Sequence, residues 1–307
     1  MVTRWAALGV TLACGNPSTQ APHDPPPPER ARDKEPQGMK PEGSEGVVAV
    51  TWRRTIGEGE EYLEIVAEGE SSLSRSLNPP DRPEIGTWRH AVPPERFKAL
   101  VERLHASSWE SLPANMIPGM AADVIGERRA GVPTPITHSF GRMPTELMEV
   151  GSLFAELTRD LLAHPSRVVR GEARWKSAEV AKGAEAELDV TLKNIGSQPA
   201  RFSNPLAGTG WNGFRLVIRA QRPDASDKQF DLKGKDLRVE GTAPAGETFV
   251  LAPNQGITFT VRRKLAGAPG TYDARLQVYD MVPSSAQTPD LVPGVLWLPL
   301  AQLTVKP

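Results

Sequence analysis

The only cysteine of this sequence, Cys14, is the residue with the most distinctive chemistry. It follows one basic residue, Arg4, and an apolar stretch from Trp5 to Ala13. That stretch is shorter than the ~20 apolar residues needed to cross a bilayer, but it suits the hydrophobic region of an export signal. Because Cys14 has no partner cysteine, disulfides within the chain and thiolate metal sites are excluded. This cysteine usage agrees with an exported protein.

The histidines are the next candidates for chemistry, and they are His23, His90, His105, His138 and His164. None of them is four residues from another, and none lies beside a Cys-x-x-Cys pair. A zinc site needs three or four convergent ligands, and no local motif supplies them. We therefore predict no metal site and no cofactor, and expect each histidine to have an isolated structural or surface role.

Two further groupings resemble parts of hydrolytic sites. His138 and Ser139 are adjacent, but neighbours on a strand point to opposite faces and cannot pair as base and nucleophile. Glu58, Glu60 and Glu61 follow one another in a predicted turn, where all three can be solvated. We predict no catalytic residue, so an enzyme would require a site assembled from distant positions.

The segment from Gly208 to Gly213 reads GTGWNG and has the spacing of a dinucleotide-binding motif. That function requires a helix after the glycines, whereas Phe214, Leu216 and Ile218 alternate as in a strand. The segment is therefore predicted to be a loop. Its Trp211 and Asn212 are candidate ligand contacts, because a tryptophan offers a large area and one N–H donor. The alternative is that Trp211 folds back into the core.

The composition narrows the class of protein. The chain has 307 residues with 36 basic and 37 acidic side chains, a net charge of -1, which disfavours nucleic-acid binding. Its 30 prolines are concentrated outside predicted helices and favour strands, turns and linkers. The length suits about two globular domains.

The amino terminus resembles a bacterial lipoprotein lipobox, in which small apolar residues precede Cys14 and Gly15. It departs from the usual pattern in having Thr11 where leucine is common. The resemblance implies a signal peptide over residues 1–13, cleavage before Cys14 and a diacylglyceryl thioether on its sulfur. It also implies a membrane partner through the lipid, in the cell envelope, with the outer membrane favoured over the inner because Gly15 replaces aspartate.

Residues 14–45 are predicted to be a lipidated, disordered tether. The stretch from Gly15 to Gly46 contains eight prolines and no aromatic residue. Such a segment cannot bury enough apolar surface to offset its ordering entropy, so it should remain extended.

Residues 46–165 are predicted to form an α+β domain, an antiparallel sheet with two helices. Strands are indicated by the alternation around Val50 and by the segments 62–67, 73–77, 85–92, 124–129 and 136–140. One helix should begin at Pro94, with its stripe at Phe97, Leu100, Val101 and Leu104. A second should begin at Pro144 and end near His164.

Residues 166–307 are predicted to be an all-β sandwich, with strands at 186–192, 214–218, 257–261, 272–278 and 296–305. Lys193-Asn194-Ile195-Gly196 after one strand and Pro269-Gly270-Thr271-Tyr272 before another resemble immunoglobulin-like or fibronectin-like sandwiches. The resemblance implies that the hydroxyl of Tyr272 bonds to nearby backbone. The paired cysteines of antibody domains are missing.

The functional prediction combines these parts. We expect a lipid-anchored envelope protein that binds or scaffolds without catalysis, with a protein or an envelope polymer as partner. Two alternatives remain open: an inhibitor or immunity-type lipoprotein that neutralises a toxin or protease, and an enzyme with a site assembled from distant residues.

Overall fold

The described residues fold mostly into antiparallel β-sheet, together with two α-helices. The structure, a computed structural model, describes residues 46–56, 59–79, 81–114, 122–206, 213–221, 228–231, 237–241, 246–280, 291–292 and 294–307. The strands are β1 Val47–Ile56, β2 Gly59–Val66, β3 Glu70–Leu77, β4 Glu84–Ala91, β5 Asp123–Arg129, β6 Ile136–Phe140, β7 Pro165–Trp175, β8 Glu179–Ala181, β9 Glu185–Asn194, β10 Ala200–Ser203, β11 Gly213–Ala220, β12 Lys228–Asp231, β13 Arg238–Gly241, β14 Thr248–Leu251, β15 Gly256–Lys264, β16 Gly270–Asp280, β17 Gly294–Pro299 and β18 Leu303–Lys306.

Helix α1 spans Pro94–Ala106 and helix α2 spans Met148–Leu162. Pro94 opens α1, where its missing N–H costs nothing, and the predicted apolar stripe of this helix is buried. Helix α2 starts later than predicted because a short 3₁₀ turn, Thr145–Leu147, follows Pro144. No helix among the described residues is long and apolar enough to cross a membrane.

Most strands form one hydrogen-bonded sheet in the order β12-β11-β16-β17-β3-β4-β7-β9-β15-β13, with β2, β1, β5 and β6 continuing from β3. In addition, β18 joins β16 to β8, and β10 pairs with β14 in a separate two-stranded sheet. The hairpins β2–β3 and β5–β6 match their predicted segments. Gly69, in the first of these turns, has a φ of +95°, which favours glycine. The predicted strand at 296–305 is instead two strands, β17 and β18. Pro299 ends β17 because it has no N–H to extend the ladder.

The first hydrophobic core lies between the helices and one face of strands β1 to β5. Trp52, Leu63, Leu73 and Trp88 line that face and are at most 5% exposed. Side chains of both helices, such as Phe154, complete this core. The rings of Trp52 and Phe154 stack with their centroids 4.7 Å apart.

The second core is enclosed by the carboxy-terminal strands. Leu188, Phe214, Phe259 and Leu296 are among its fully buried members. Near the start of β16, the Tyr272 hydroxyl donates a 2.6 Å hydrogen bond to the carbonyl of Ala268, the contact expected at that corner.

Strand β7 contributes to both cores. Val168 belongs to the first core and Val169 to the second, and both are fully buried. Since successive residues of a strand point to opposite faces, the two cores lie on opposite faces of this part of the sheet. Strand β4 repeats the arrangement with Trp88 and Ile85. The predicted boundary between residues 165 and 166 falls at the first residue of β7, and the division into two domains stays a prediction.

A junction joins β3 to β17. The buried side chain of Asn78 accepts a hydrogen bond from the backbone N–H of Trp297 at 2.6 Å and donates one to its carbonyl at 3.0 Å. The amide thereby replaces a strand residue next to the parallel bridge between Leu77 and Val295. Gly294 allows this approach, because a Cβ there would lie 2.0 Å from the carbonyl oxygen of Ser76.

Candidate functional site

The three residues singled out by sequence, Cys14, Trp211 and Asn212, lie outside the described residues. Their predicted roles in lipidation and ligand contact therefore stay predictions. Other residues form the candidate site.

The interpretation of the glutamate cluster as solvated is wrong for Glu61. This carboxylate is 2% exposed. It accepts hydrogen bonds from Nε of Arg54 at 3.1 Å and from Nε of Arg75 at 2.9 Å. Glu61 belongs to β2 rather than to a turn, and its register partner Arg75 points to the same, helix-covered face. Glu60 is exposed, and Glu58 lies outside the described residues.

Two tryptophans complete this buried cluster. The guanidinium carbon of Arg54 lies 4.4 Å from the Trp52 ring centre and that of Arg75 lies 5.0 Å from the Trp88 ring centre, so both are cation–π contacts. Trp52 also donates its indole N–H to Asp123 at 3.1 Å. Burial raises the pKa of the Asp123 carboxyl, which the hydrogen bond from Trp52 and the charge of Arg54 partly offset. These contacts link side chains of strands β1 to β5 on the face that packs against the first core.

The expectation that each histidine is isolated is wrong for His90 and His164, which contact each other, and His23 lies outside the described residues. His105 contacts the buried carboxylate of Glu127 at 2.5 Å and thereby joins α1 to β5. His90 and His164 stack in parallel with ring centres 3.8 Å apart. His138 pairs in register with Ile125 and Ser139 with Val124, so these two neighbours face opposite sides of the sheet. Within the described ranges, no three potential metal ligands converge.

The candidate site is the face of strands β1 to β6 that turns away from the helices, which we call the open face. The first core covers the opposite side of the same strands. On the open face, Arg53, Arg89 and Arg128 are exposed, and Tyr62 is 41% exposed. The described structure shows a helix layer on the other side of these strands, and polar side chains on this one.

The open face is organised in two rows that cross the strands. Directly paired residues of antiparallel strands share a face, so the register fixes each row. The first row is Ser139, Val124, Arg53, Tyr62, Ser74, Thr87 and Arg167. The second row is Thr137, Gly126, Thr51, Glu64, Ser72 and Arg89. At a strand spacing of ~4.8 Å the first row extends for roughly 30 Å.

A shallow groove of about 490 Å³ lies over the part of both rows nearest β6. Thr51 and Thr137 line the groove and pack over Gly126, which lies between them and has no side chain. A Cβ at that position would lie 2.5 Å from the Thr51 hydroxyl oxygen. Tyr62 and Arg53 border the groove, together with Arg128. The groove therefore offers an aromatic ring and guanidinium groups above a floor of hydroxyls.

The side chains of the two rows carry a net positive charge. Their only carboxylate, Glu64, receives a 3.1 Å hydrogen bond from Arg128. Arg53 and Arg89 form no ion pair with any described residue. At the far end of the first row, Nε of Arg167 is buried and has no hydrogen-bond partner. These guanidinium groups therefore have N–H donors that no described residue uses.

Tyr62 remains a neutral hydrogen-bond donor at physiological pH. Burial of its ring raises the pKa of the phenol, and the charge of Glu64 raises it further, while a hydrogen bond with Thr51 acts in the other direction. A phenol in this state can bond to a ligand oxygen and lay its ring against a ligand's apolar surface. It does not supply a nucleophile.

The open face was missed in the sequence although its signal is present there. Thr51 and Arg53 alternate with Trp52, and Tyr62 and Glu64 alternate with Leu63, so each strand shows one polar and one apolar face. Alternation alone does not show that the polar positions of six strands line up. That alignment depends on pairings such as β1 with β5, which are distant in sequence.

Comparison with known proteins leaves the family open. No family model matches the chain, and no curated protein matches it. A β-glucosidase of Erythrobacter marinus is 10% identical with a TM-score of 0.26, over 45% of this chain and 15% of the enzyme. An alkylpurine DNA glycosylase of Pseudomonas fluorescens is 11% identical with a TM-score of 0.26, over 52% of this chain and 39% of that one. A CARDB domain from Pyrococcus furiosus is 14% identical with a TM-score of 0.20, over 45% and 92%. Scores of this size carry no information about function.

Proposed function

We propose that this chain is a lipid-anchored binding protein of the bacterial cell envelope, acting without catalysis. In this proposal Cys14 carries the lipid, residues 14–45 are the tether, and the α+β part presents its open face to the ligand. The carboxy-terminal strands, proposed as an immunoglobulin-like sandwich, support that part through β7 and β17. The lipobox-like sequence and the proline-rich segment after it support the anchor.

The observation that carries the binding function is the pair of polar rows on the open face. Arg53, Tyr62 and Arg89 are exposed there, among serine and threonine hydroxyls. Antiparallel pairing aligns the residues of any sheet face, but Arg53 and Arg89 also form no ion pair with a described residue. A bound ligand with many oxygen atoms would use these donors. The carboxylate of Glu64 is already engaged by Arg128, so the rows favour holding a ligand over acid–base catalysis.

The test is co-sedimentation with isolated bacterial envelopes, using a Cys14→Ser form so that the lipid does not cause retention. We expect this form to sediment with the envelopes. Adding Arg53→Gln and Tyr62→Ala should reduce the bound fraction at least tenfold, because both changed side chains lie at the centre of the first row. The matched control is Arg103→Gln, an exposed arginine of α1 on the helix-covered side, which should leave retention unchanged.

A separate preparation, in which Cys14 is retained, tests the anchor. Mass spectrometry of the form with Cys14 intact should show an amino-terminal diacylglyceryl cysteine. An unmodified Met1 would contradict the anchor, and equal retention of the double variant and the control would contradict binding at the open face.

A further inference from the structure

We infer that the ligand of the open face is a linear, anionic polysaccharide that lies across the strands, along the two rows. This inference rests on the proposed function and names the class of its ligand. It depends on three properties of the open face: its charge, its linear geometry and the kinds of side chain it lacks.

The charge of the rows selects an anion. Arg53 and Arg89 lie in different rows and form no ion pair with any described residue. A planar guanidinium binds carboxylate and phosphate oxygens through paired N–H donors. The whole chain has a net charge of only -1, so the positive character belongs to these two rows. Glu60 and Glu70 are exposed on the same face but lie outside the rows.

The geometry of the rows selects an extended polymer. Positions in one row repeat at the strand spacing of ~4.8 Å, and the two rows lie roughly 7 Å apart, two residues along each strand. Most side chains between the arginines are short hydroxyls such as Ser72, Ser74 and Thr87. A short ligand would contact only part of this track, whereas a linear chain of hydroxyl-bearing units can contact it along its length.

Tyr62 supplies the apolar contact that a sugar ring requires. It lies near the middle of the first row, between Arg53 and Ser74, and it is 41% exposed. Its ring can cover the C–H face of a sugar while its hydroxyl donates to an oxygen. The groove beside Tyr62, which Thr51 and Thr137 also line, has a volume of about 490 Å³ for such a ring.

A protein partner fits this face less well. Protein interfaces concentrate their binding energy in anchors that fill well-packed pockets. Tyrosine and arginine are residues of that kind, but those of the rows stand on an open sheet face with only a shallow groove. Of the large hydrophobic side chains, the two rows contain only Tyr62, with Val124 as the one aliphatic residue. A peptide that joined the sheet as a strand would bind an edge such as β6, not the face.

The experiment measures binding of the full 307-residue chain to polygalacturonate by isothermal titration calorimetry. Fully methyl-esterified polygalacturonate has the same backbone without the charge and is the matched ligand control. We expect the chain to bind the acid form and to bind the ester at least tenfold more weakly. Added salt should lower the affinity for the acid form. Arg53→Gln combined with Arg89→Gln should weaken binding to the acid form at least tenfold, and Tyr62→Ala should do the same. Arg103→Gln should not change it.

Poly-glutamate and a single-stranded oligonucleotide test the two other polyanions. Equal or tighter binding of either would overturn the polysaccharide assignment, because charge alone would then explain recognition. The polysaccharide assignment would also be overturned if the chain did not bind polygalacturonate. The same holds if the open-face variants lost no more affinity for it than Arg103→Gln. Circular dichroism of each variant shows whether the fold is retained. If the envelope co-sedimentation still depends on Arg53 and Tyr62 after such a failure, the binding function stands and only the ligand class is wrong.

Discussion

Glu61 and Arg75 form an ion pair with side-chain exposures of 2% and 0%. Burying two charges is costly, and the cost is offset only when hydrogen bonds satisfy both groups. Glu61 meets this condition through Arg54 and Arg75, each bound to a different carboxylate oxygen. The Nη1 atom of Arg75 is buried without a hydrogen-bond partner, so this guanidinium depends on Glu61 and on the ring of Trp88.

Glu61→Gln should lower the free energy of unfolding by about 3–5 kcal/mol, the usual effect of breaking a buried pair and leaving one charge behind. The matched control is Glu60→Gln, a neighbouring exposed position, which should change it by less than about 0.5 kcal/mol. Urea denaturation followed by tryptophan fluorescence measures both. Equal stability of the two variants would mean that Arg75 finds a replacement partner after the pair is broken.

The predictions of the elements from sequence succeeded where the pattern is local. The stripe at Phe97, Leu100, Val101 and Leu104 predicted α1, and all four side chains are buried. The two strands of the β5–β6 hairpin were also predicted, because each is a short local segment, 124–129 and 136–140. Helix periodicity and short turns depend on neighbouring residues alone, so a single sequence contains enough information for them.

The junction of β3 with β17 could not be predicted, because Asn78 and Trp297 are 219 residues apart. Before the fold is known, Asn78 followed by Pro79 reads as an ordinary turn. The open face was missed for the same reason: its rows arise only when several distant strands pair in one register. Trp211 and Asn212 were chosen for residue type in a glycine-rich loop, and they lie outside the described residues.

Gly294→Ala should disrupt the β3–β17 junction. The φ of Gly294 is +147°, and an added Cβ would lie 2.0 Å from the carbonyl oxygen of Ser76. Gly270 is the matched control, because its φ is +151° and nothing lies within 4 Å of an added Cβ. Both variants suffer the backbone strain of about 1–3 kcal/mol, but only Gly294→Ala adds a collision with backbone. We expect it to have the lower melting temperature, measured by circular dichroism, and equal melting temperatures would contradict a close β3–β17 contact.

The molecule as a whole has two cores that share strands. Ile85 and Trp88 of β4 belong to different cores, as do Val168 and Val169 of β7. Because such a strand packs against one core on each face, unfolding it exposes buried side chains of both cores to water. The open face also depends on this sharing, because its first row ends at Arg167 of β7. The ligand-binding strands are thus continuous with the carboxy-terminal strands.

This sharing predicts that the body from residue 46 onward unfolds cooperatively. Val168→Ala removes buried methyl groups from the first core and Val169→Ala removes them from the second, each at a cost of about 2 kcal/mol. If the cores unfold together, each change should accelerate native-state amide exchange by a similar factor in both α1 and β15, although α1 belongs to the first core and β15 to the second. Val250→Ala, at a position 43% exposed, serves as the control and should leave exchange in both elements unchanged. If Val168→Ala accelerated exchange only in α1, and Val169→Ala only in β15, the two cores would belong to independent domains. In that case the open face would keep its affinity for the ligand after the carboxy-terminal strands unfold.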